Sequence, residues 1–113
     1  MVLADLHLAT AHAEAAKIGA WALEVNVGRE ADVARLVEDV LARFGRIDLF
    51  CSNAGIVVPG GEEAPADQWK LIYDVNVLAH VYAAKYVLPG MLERGEGYLL
   101  NTASAAGLLT EFH

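Results

Sequence analysis

Polar residues stand where short apolar stretches of this chain end. Asp5, Asn53 and Ser104 each follow or close a run of the kind that forms a buried parallel strand. Open sheets of parallel strands bind their ligands outside the carboxyl ends of the strands. A carboxylate accepts hydrogen bonds, an amide both donates and accepts, and a serine hydroxyl can donate to a carbonyl oxygen. These positions therefore suit a ligand site, although ordinary turns and helix starts use the same residue types.

The stretch Ser52-Asn53-Ala54-Gly55 follows directly on the apolar run at 47–51. Gly55 would allow a positive φ or the close approach of another backbone. Asn53 has donors and an acceptor with which to lock the loop. A strand followed by an ordinary turn would have the same composition, so the spacing alone leaves both interpretations open.

Three phrases, in order along the chain, resemble the short-chain dehydrogenase/reductase family. They are Asn53-Ala54-Gly55 after a strand, Asp74-Val75-Asn76-Val77 within a helix, and the strand and small-residue loop between Leu99 and Gly107. The resemblance extends from Val2 to about Thr110. It implies a Rossmann-like parallel α/β sheet with flanking helices. It also implies an oxidoreductase that transfers hydride between a nicotinamide dinucleotide and a secondary alcohol or ketone.

The resemblance assigns catalytic roles to Ser104 and Asn76. Ser104 would hydrogen-bond the substrate carbonyl beside a tyrosine that acts as general acid and base, whereas the alternative is simple turn chemistry. Asn76 lies in the middle of a predicted helix, where asparagine costs roughly half a kcal/mol relative to alanine. In the family this asparagine bends the helix and holds a water of the proton relay; alternatively it faces solvent.

The resemblance also indicates a cofactor side of the site. Asp5 would accept hydrogen bonds from the adenosine ribose hydroxyls and repel a 2′-phosphate, which favours NAD over NADP; alternatively it starts the following helix. Asn26-Val27 stands where the family has Asp-Val, whose aspartate binds the adenine amino group. An amide oxygen can still accept that bond, more weakly because it carries no charge. The remaining cofactor-binding candidates are Asn53, Ala54, Gly55 and Thr102.

Composition excludes several other classes of function. The 113 residues carry 8 Lys and Arg against 15 Asp and Glu, for a net charge of −7, and no basic cluster is present. Nucleic acid and anionic membranes are therefore poor partners. The sequence shows no apolar run near the roughly 20 residues of a membrane helix and no secretory signal. Cys51 is the single cysteine, expected in the core, and the histidines show no metal-binding spacing, so we expect a cytoplasmic protein without a metal site.

Strands alternating with helices predict a parallel sheet. The predicted strands are 2–6, 20–27, 47–51 and 98–102, and the predicted helices are 8–18, about 30–44 and 66–93. Gly19 and Gly45 should end the first two helices, and Pro89-Gly90 should kink or interrupt the third near its end. The strand around Leu49 should be buried on both faces. We expect one partial NAD(P)-binding Rossmann-like domain over 1–113.

Two signatures of the family are expected outside these residues. The glycine-rich turn and its strand belong before Val2, and the Tyr-x-x-x-Lys pair belongs beyond His113. In the family's strand order, the absent strand lies between the strands of Leu3 and Leu49. We therefore expect two half-sheets with unpaired inner edges, low stability, and no hydride transfer by the isolated chain.

A second interpretation makes the chain a truncated, non-catalytic subunit or scaffold that binds a partner through its long helix.

That helix has more apolar side chains than one side of a sheet needs, and the family commonly pairs it with its symmetry mate. A homo-oligomer through the 66–93 helix is therefore expected. The substrate itself is not identified, because the family's substrate loop lies beyond these residues. The helix residues concerned are Trp69, Ile72, Tyr73, Val77, Val81 and Ala84.

Overall fold

Short strands alternate with helices along the chain, as the apolar pattern predicts. A computed structural model describes residues 1–108. The strands are β1 (Val2–Asp5), β2 (Trp21–Glu24), β3 (Leu49–Ser52) and β4 (Tyr98–Asn101). The helices are α1 (Leu8–Ile18), α2 (Glu30–Phe44), α3 (Ala66–Tyr73) and α4 (Ala79–Arg94), with a π-helical turn at Asp74–Leu78 and a 3-10 turn at Ala105–Leu108. This order confirms the predicted α/β class.

The strands form two separate parallel pairs, β1 with β2 and β3 with β4. The N–H groups of Trp21 and Val25 donate to the carbonyls of Met1 and Asp5, so the odd-numbered residues of β1 turn their backbone groups towards β2. Backbone groups alternate in direction along a strand, so those of the even-numbered residues point to the opposite edge of β1. No strand within residues 1–108 pairs with that second edge of β1, or with the second edge of β3. The predicted half-sheets with unpaired edges are therefore confirmed.

Helix α2 joins the two sheets through one apolar cluster. Leu36 and Val40 of α2 pack with the buried Val25, and Val2 of β1 and Phe50 of β3 both lie against this group. The hydrophobic periodicity of α2 places these side chains on one face. Helix α1 covers the opposite face of β1 and β2, and α4 covers one face of β3 and β4.

The prediction that β3 is buried on both faces is wrong. Phe50 packs against the helices, but its neighbours Leu49 and Cys51 point the other way and are exposed, Leu49 by 54%. On β4, Tyr98 and Leu100 are exposed on the same pattern. The physical reason is that α4 covers only one face of this pair and no helix in the described residues covers the other. Cys51 is therefore not the core residue that its apolar neighbours predict.

The predicted helix stops are confirmed at Gly19 and Gly45, which adopt left-handed φ values of 65° and 79°. The predicted interruption at Pro89 is wrong, because α4 continues through it to Arg94. Val87 and Met91, on either side of Pro89, are both buried in one cluster. Burying such side chains contributes about 1.5–3 kcal/mol each, enough together to offset the roughly 3 kcal/mol that an interior proline costs.

A charged cluster fastens the first residue of α2 to α4. The Lys85 ammonium donates to Glu30 Oε1 at 2.5 Å, and the Tyr86 hydroxyl donates to the same oxygen at 2.9 Å. The hydrogen bond from Lys85, followed by that from Tyr86, lowers the pKa of Glu30. The bond to the Glu30 carboxylate raises the pKa of Tyr86. Residues 55 positions apart in sequence thus hold two helices in register.

We expect this cluster to make stability depend on pH in the acid range. A carboxyl group whose pKa is depressed on folding stabilises the fold above its unfolded pKa, and that contribution is lost as the pH falls through the folded value. Glu30→Gln should therefore flatten the acid limb of the unfolding free energy, measured by urea denaturation across the pH range. Glu93→Gln, on the exposed surface of α4, is the control and should leave that limb unchanged. An identical acid limb in Glu30→Gln and the wild type would contradict the assignment.

Candidate functional site

Backbone hydrogen bonds join the carboxyl ends of neighbouring strands. At the end of β1, the carbonyl of Asp5 accepts the N–H of Val25, just beyond β2, at 2.9 Å. At the end of β3, the carbonyl of Ser52 accepts the N–H of Thr102, just beyond β4, at 3.0 Å. The predicted site residues thus follow strand ends that meet in pairs.

The turn after β2 is built around Asn26. Its side-chain Oδ1 accepts the N–H of Gly28 at 3.0 Å, and its backbone N–H donates to Asp32 Oδ2 at the same distance. A Cβ on Gly28 would lie 3.2 Å from Val75 Cγ2. The turn therefore packs closely against the π-helical turn, and Val27 beside it is partly buried against the α2 cluster. Sequence reasoning missed Gly28, although a glycine two residues after an asparagine is a recognisable turn signal.

The predicted 66–93 helix is not uniform, because its middle is a π-helical turn that contains Asn76. Asn76 Oδ1 accepts the N–H of Ile56 at 2.8 Å, and Asn76 Nδ2 donates to the carbonyl of Ile56 at 2.8 Å. Asn76 is half-buried, so the solvent-facing alternative is wrong. Insertion of a residue into a helix turns its side chains, and such π-bulges are frequent at functional sites. These two hydrogen bonds, here called the Asn76 clamp, fix the loop that follows Asn53-Ala54-Gly55.

Gly55 lies within this clamp. A Cβ at Gly55 would stand 3.3 Å from Asn76 Oδ1, closer than the neighbouring amide tolerates without moving. The close backbone approach predicted at Gly55 is therefore made to the side chain of Asn76. Ile56 was not singled out from the sequence, because its contribution is made entirely by backbone atoms, which every residue type has.

The loops after β3 and β4 are linked by side chains. The Thr102 hydroxyl donates to Asn53 Oδ1 at 2.8 Å. Asn53 and Ala54 are exposed at this edge. Ser104 is also exposed, and its Oγ accepts the N–H of Ala106 at 3.1 Å at the start of the 3-10 turn. Ser104 thus accepts a hydrogen bond in the turn, and within residues 1–108 its hydroxyl donates none.

The Asp5 side chain accepts a hydrogen bond from its own turn. Its Oδ1 accepts the N–H of His7, the residue that precedes α1, at 2.8 Å. This is an Asx turn just before α1; the residue that caps the helix is His7, whose side chain makes no capping hydrogen bond. The side chain is exposed, so its second oxygen remains accessible to a ligand.

Contacts therefore connect the Asn26 turn with the π-helical turn, the π-helical turn with the loop after β3, and that loop with the loop after β4. Asp5 joins this set only through its backbone, and Ser104 bonds to none of the other candidates within residues 1–108. Residues 1–108 also hold no group of three metal-ligating side chains. No helix among them is long and apolar enough to span a bilayer.

The Asn76 clamp gives a testable expectation. Asn76→Ala removes two hydrogen bonds and gains some helix propensity, so it should destabilise the fold by about 1–3 kcal/mol. It should also accelerate hydrogen exchange at the Ile56 amide. Urea unfolding and amide exchange measure both effects, with Gln68→Ala in α3 as the control. An unchanged exchange rate at Ile56 in Asn76→Ala would show that the clamp does not hold the loop.

Comparison with known proteins places these loops in a family context. The family model for short chain dehydrogenase matches residues 2–113. The CLA biosynthesis dehydrogenase/reductase of Lactiplantibacillus plantarum is 43% identical over 86 residues, which cover 74% of this chain and 30% of that protein. The cyclohexanol dehydrogenase of Acinetobacter sp. strain SE19 is 34% identical over 116 residues, covering 96% of this chain and 46% of that protein. The chain thus spans less than half the length of either relative.

A solved structure shows the same arrangement of elements. The 7α-hydroxysteroid dehydrogenase complexed with NADH and 7-oxo glycochenodeoxycholic acid superposes with a TM-score of 0.92 at 23% identity, covering 97% of this chain and 45% of that one. At that identity the likeness concerns the fold alone. The family match over residues 2–113, with the relative that is 34% identical over 96% of this chain, shows that the chain belongs to the short-chain dehydrogenase family of oxidoreductases.

Proposed function

We propose that the protein containing this chain transfers hydride between NAD(H) and a secondary alcohol or ketone, in the cytoplasm. The observation that carries the proposal is the connected set of strand-end loops, anchored to the helix by the two hydrogen bonds between Asn76 and Ile56. A site held by such contacts is preorganised for a ligand that must be oriented accurately. The relatives named as dehydrogenases support the reaction class.

The residues at the strand ends fit a nicotinamide dinucleotide. A Cβ at Gly55 or Gly28 would crowd Asn76 or Val75, so the glycines let these two loops pack closely against the π-helical turn. Asp5 offers an accessible carboxylate oxygen for ribose hydroxyls. When bound, the dinucleotide supplies or accepts the hydride. The residues we propose to hold it are Asp5, Asn26, Val27, Asn53, Ala54 and Gly55, with Thr102 supporting this side of the site.

Two residues would act at the reacting end. Ser104 Oγ accepts one backbone N–H and donates to no group within residues 1–108, so we assign its proton to a substrate carbonyl oxygen. Asn76 has both side-chain polar atoms occupied by Ile56, which fixes the π-helical turn and its backbone carbonyls in place. We assign Ser104 to substrate binding and Asn76 to the proton relay that its position in the family implies.

Cofactor preference tests the role of Asp5. In a polypeptide extended through the glycine-rich turn and the Tyr-x-x-x-Lys segment, kcat/KM should be higher with NADH than with NADPH. Asp5→Ala should reduce that preference by about tenfold or more, because a charge-assisted hydrogen bond and a repulsion are both lost. Steady-state absorbance assays measure this, with Asp67→Ala as the control and the 113-residue chain expected to be inactive. A wild-type preference for NADPH would remove Asp5 from this role.

We also propose that the protein is a homo-oligomer that associates through the 66–93 helix. Trp69, Tyr73, Val77 and Val81 follow one another at four-residue spacing and are all exposed, Trp69 by 54% and Val81 by 53%. An exposed apolar stripe of this length on a helix typically marks a protein interface. Ile72 and Ala84, predicted for the same surface, are half-buried.

A single charge should break that interface. In the same extended polypeptide, Val81→Glu should shift the mass measured by multi-angle light scattering towards the monomer at micromolar concentration, because it buries an unpaired carboxylate. Ile18→Glu is the control, since it places the same charge on an exposed position at the end of α1, away from this helix. A wild-type monomer, or equal effects of the two substitutions, would contradict the helix interface.

A further inference from the structure

Thr102 and Asn53 occupy equivalent places at the ends of neighbouring strands. Ser52 of β3 is in register with Asn101 of β4, so the next residues, Asn53 and Thr102, lie level with each other. The backbone bond from Thr102 N–H to the Ser52 carbonyl, at 3.0 Å, extends the ladder by one step. Side chains at level positions of adjacent strands share a face. The Thr102 hydroxyl therefore meets the Asn53 carboxamide at 2.8 Å, although 49 positions separate them.

This bond determines which end of the Asn53 amide is free. A carboxamide has one acceptor oxygen and one NH2 group with two donors. The oxygen is engaged by the Thr102 hydroxyl, so the NH2 group is turned away from it. Within residues 1–108 that NH2 group donates to no other residue, and the Asn53 side chain is exposed at the carboxyl edge of the strands.

We propose that Thr102 is a positioning residue, whose hydroxyl orients Asn53 so that the amide NH2 is presented to an oxygen acceptor of the bound dinucleotide. Thr102 would thus support the cofactor side of the loop through Asn53. The same bond ties the start of the Ser104 loop to the loop after β3, so the two loops move as one unit. This inference rests on the proposed binding of a nicotinamide dinucleotide at the strand ends.

Three variants separate the parts of the proposal. Thr102→Val keeps the shape and removes the hydroxyl. Thr102→Ser keeps the hydroxyl and should restore the wild-type behaviour. Asn53→Asp keeps an acceptor for Thr102 but replaces the outward donors with a carboxylate oxygen. Comparison of the three distinguishes loss of the hydrogen bond between Thr102 and Asn53 from loss of the Asn53 NH2 donors. Urea unfolding of each variant monitors the fold.

The first readout is the Asn53 side-chain amide in a proton–nitrogen correlation spectrum of the isotope-labelled 113-residue chain. The wild type and Thr102→Ser should show a dispersed pair of NH2 resonances. Thr102→Val should move that pair to the position of an unstructured asparagine. An unmoved pair in Thr102→Val would overturn the orienting role, whether or not any dinucleotide binds.

The second readout is the affinity for NADH of the extended polypeptide, measured by fluorescence titration. Thr102→Val and Asn53→Asp should each weaken binding by about tenfold, the effect of one hydrogen bond, and Thr102→Ser by no more than about twofold. Wild-type affinity in Asn53→Asp would overturn the donor role. Failure of the wild type to bind NADH would instead contradict the proposed function, while the amide spectrum would still decide the role of Thr102.

Discussion

The structure depends on one apolar contact, the face of α2 that packs against both pairs of strands at once. Leu36 and Val40 lie against Val2 of the first sheet and Phe50 of the second, and no hydrogen bond within residues 1–108 pairs one sheet with the other. Burial of side chains of this size contributes about 1.5–3 kcal/mol each. Because α2 begins directly after the Asn26 turn, the helix that joins the two sheets also sets the position of that turn.

The strand ends are organised by asparagines, each used in a different way. Asn26 closes its own turn, Asn53 accepts a hydrogen bond from the next loop, and Asn76 holds a loop 20 positions earlier in the chain by both of its polar ends. A carboxamide suits such positions because it can both donate and accept without carrying a charge. The result is a set of loops whose relative positions are fixed by neutral hydrogen bonds.

Within residues 1–108, exposed apolar side chains form a stripe on the long helix and a face of β3 and β4, and these surfaces differ in kind. The stripe on the long helix lies on one continuous element, whereas the exposed face of β3 and β4 belongs to a parallel pair of strands. Parallel strands are normally covered on both faces, and here α4 covers only one of them. The chain also spans less than half of the relatives it matches, in which the equivalent strands belong to a longer polypeptide.

The amino-acid sequence by itself determined the alternation of strands and helices, the glycine stops after α1 and α2, and the strand ends at which polar residues gather. These are local properties, governed by periodicity, turn chemistry and short motifs. Only the tertiary structure decided that Leu49 and Cys51 are exposed, that α4 continues through Pro89, and which atoms Asn76 and Thr102 bind. Each of those outcomes depends on partners distant in sequence: a helix that covers one face only, buried neighbours on both sides of a proline, and a backbone amide or side chain brought close by the fold.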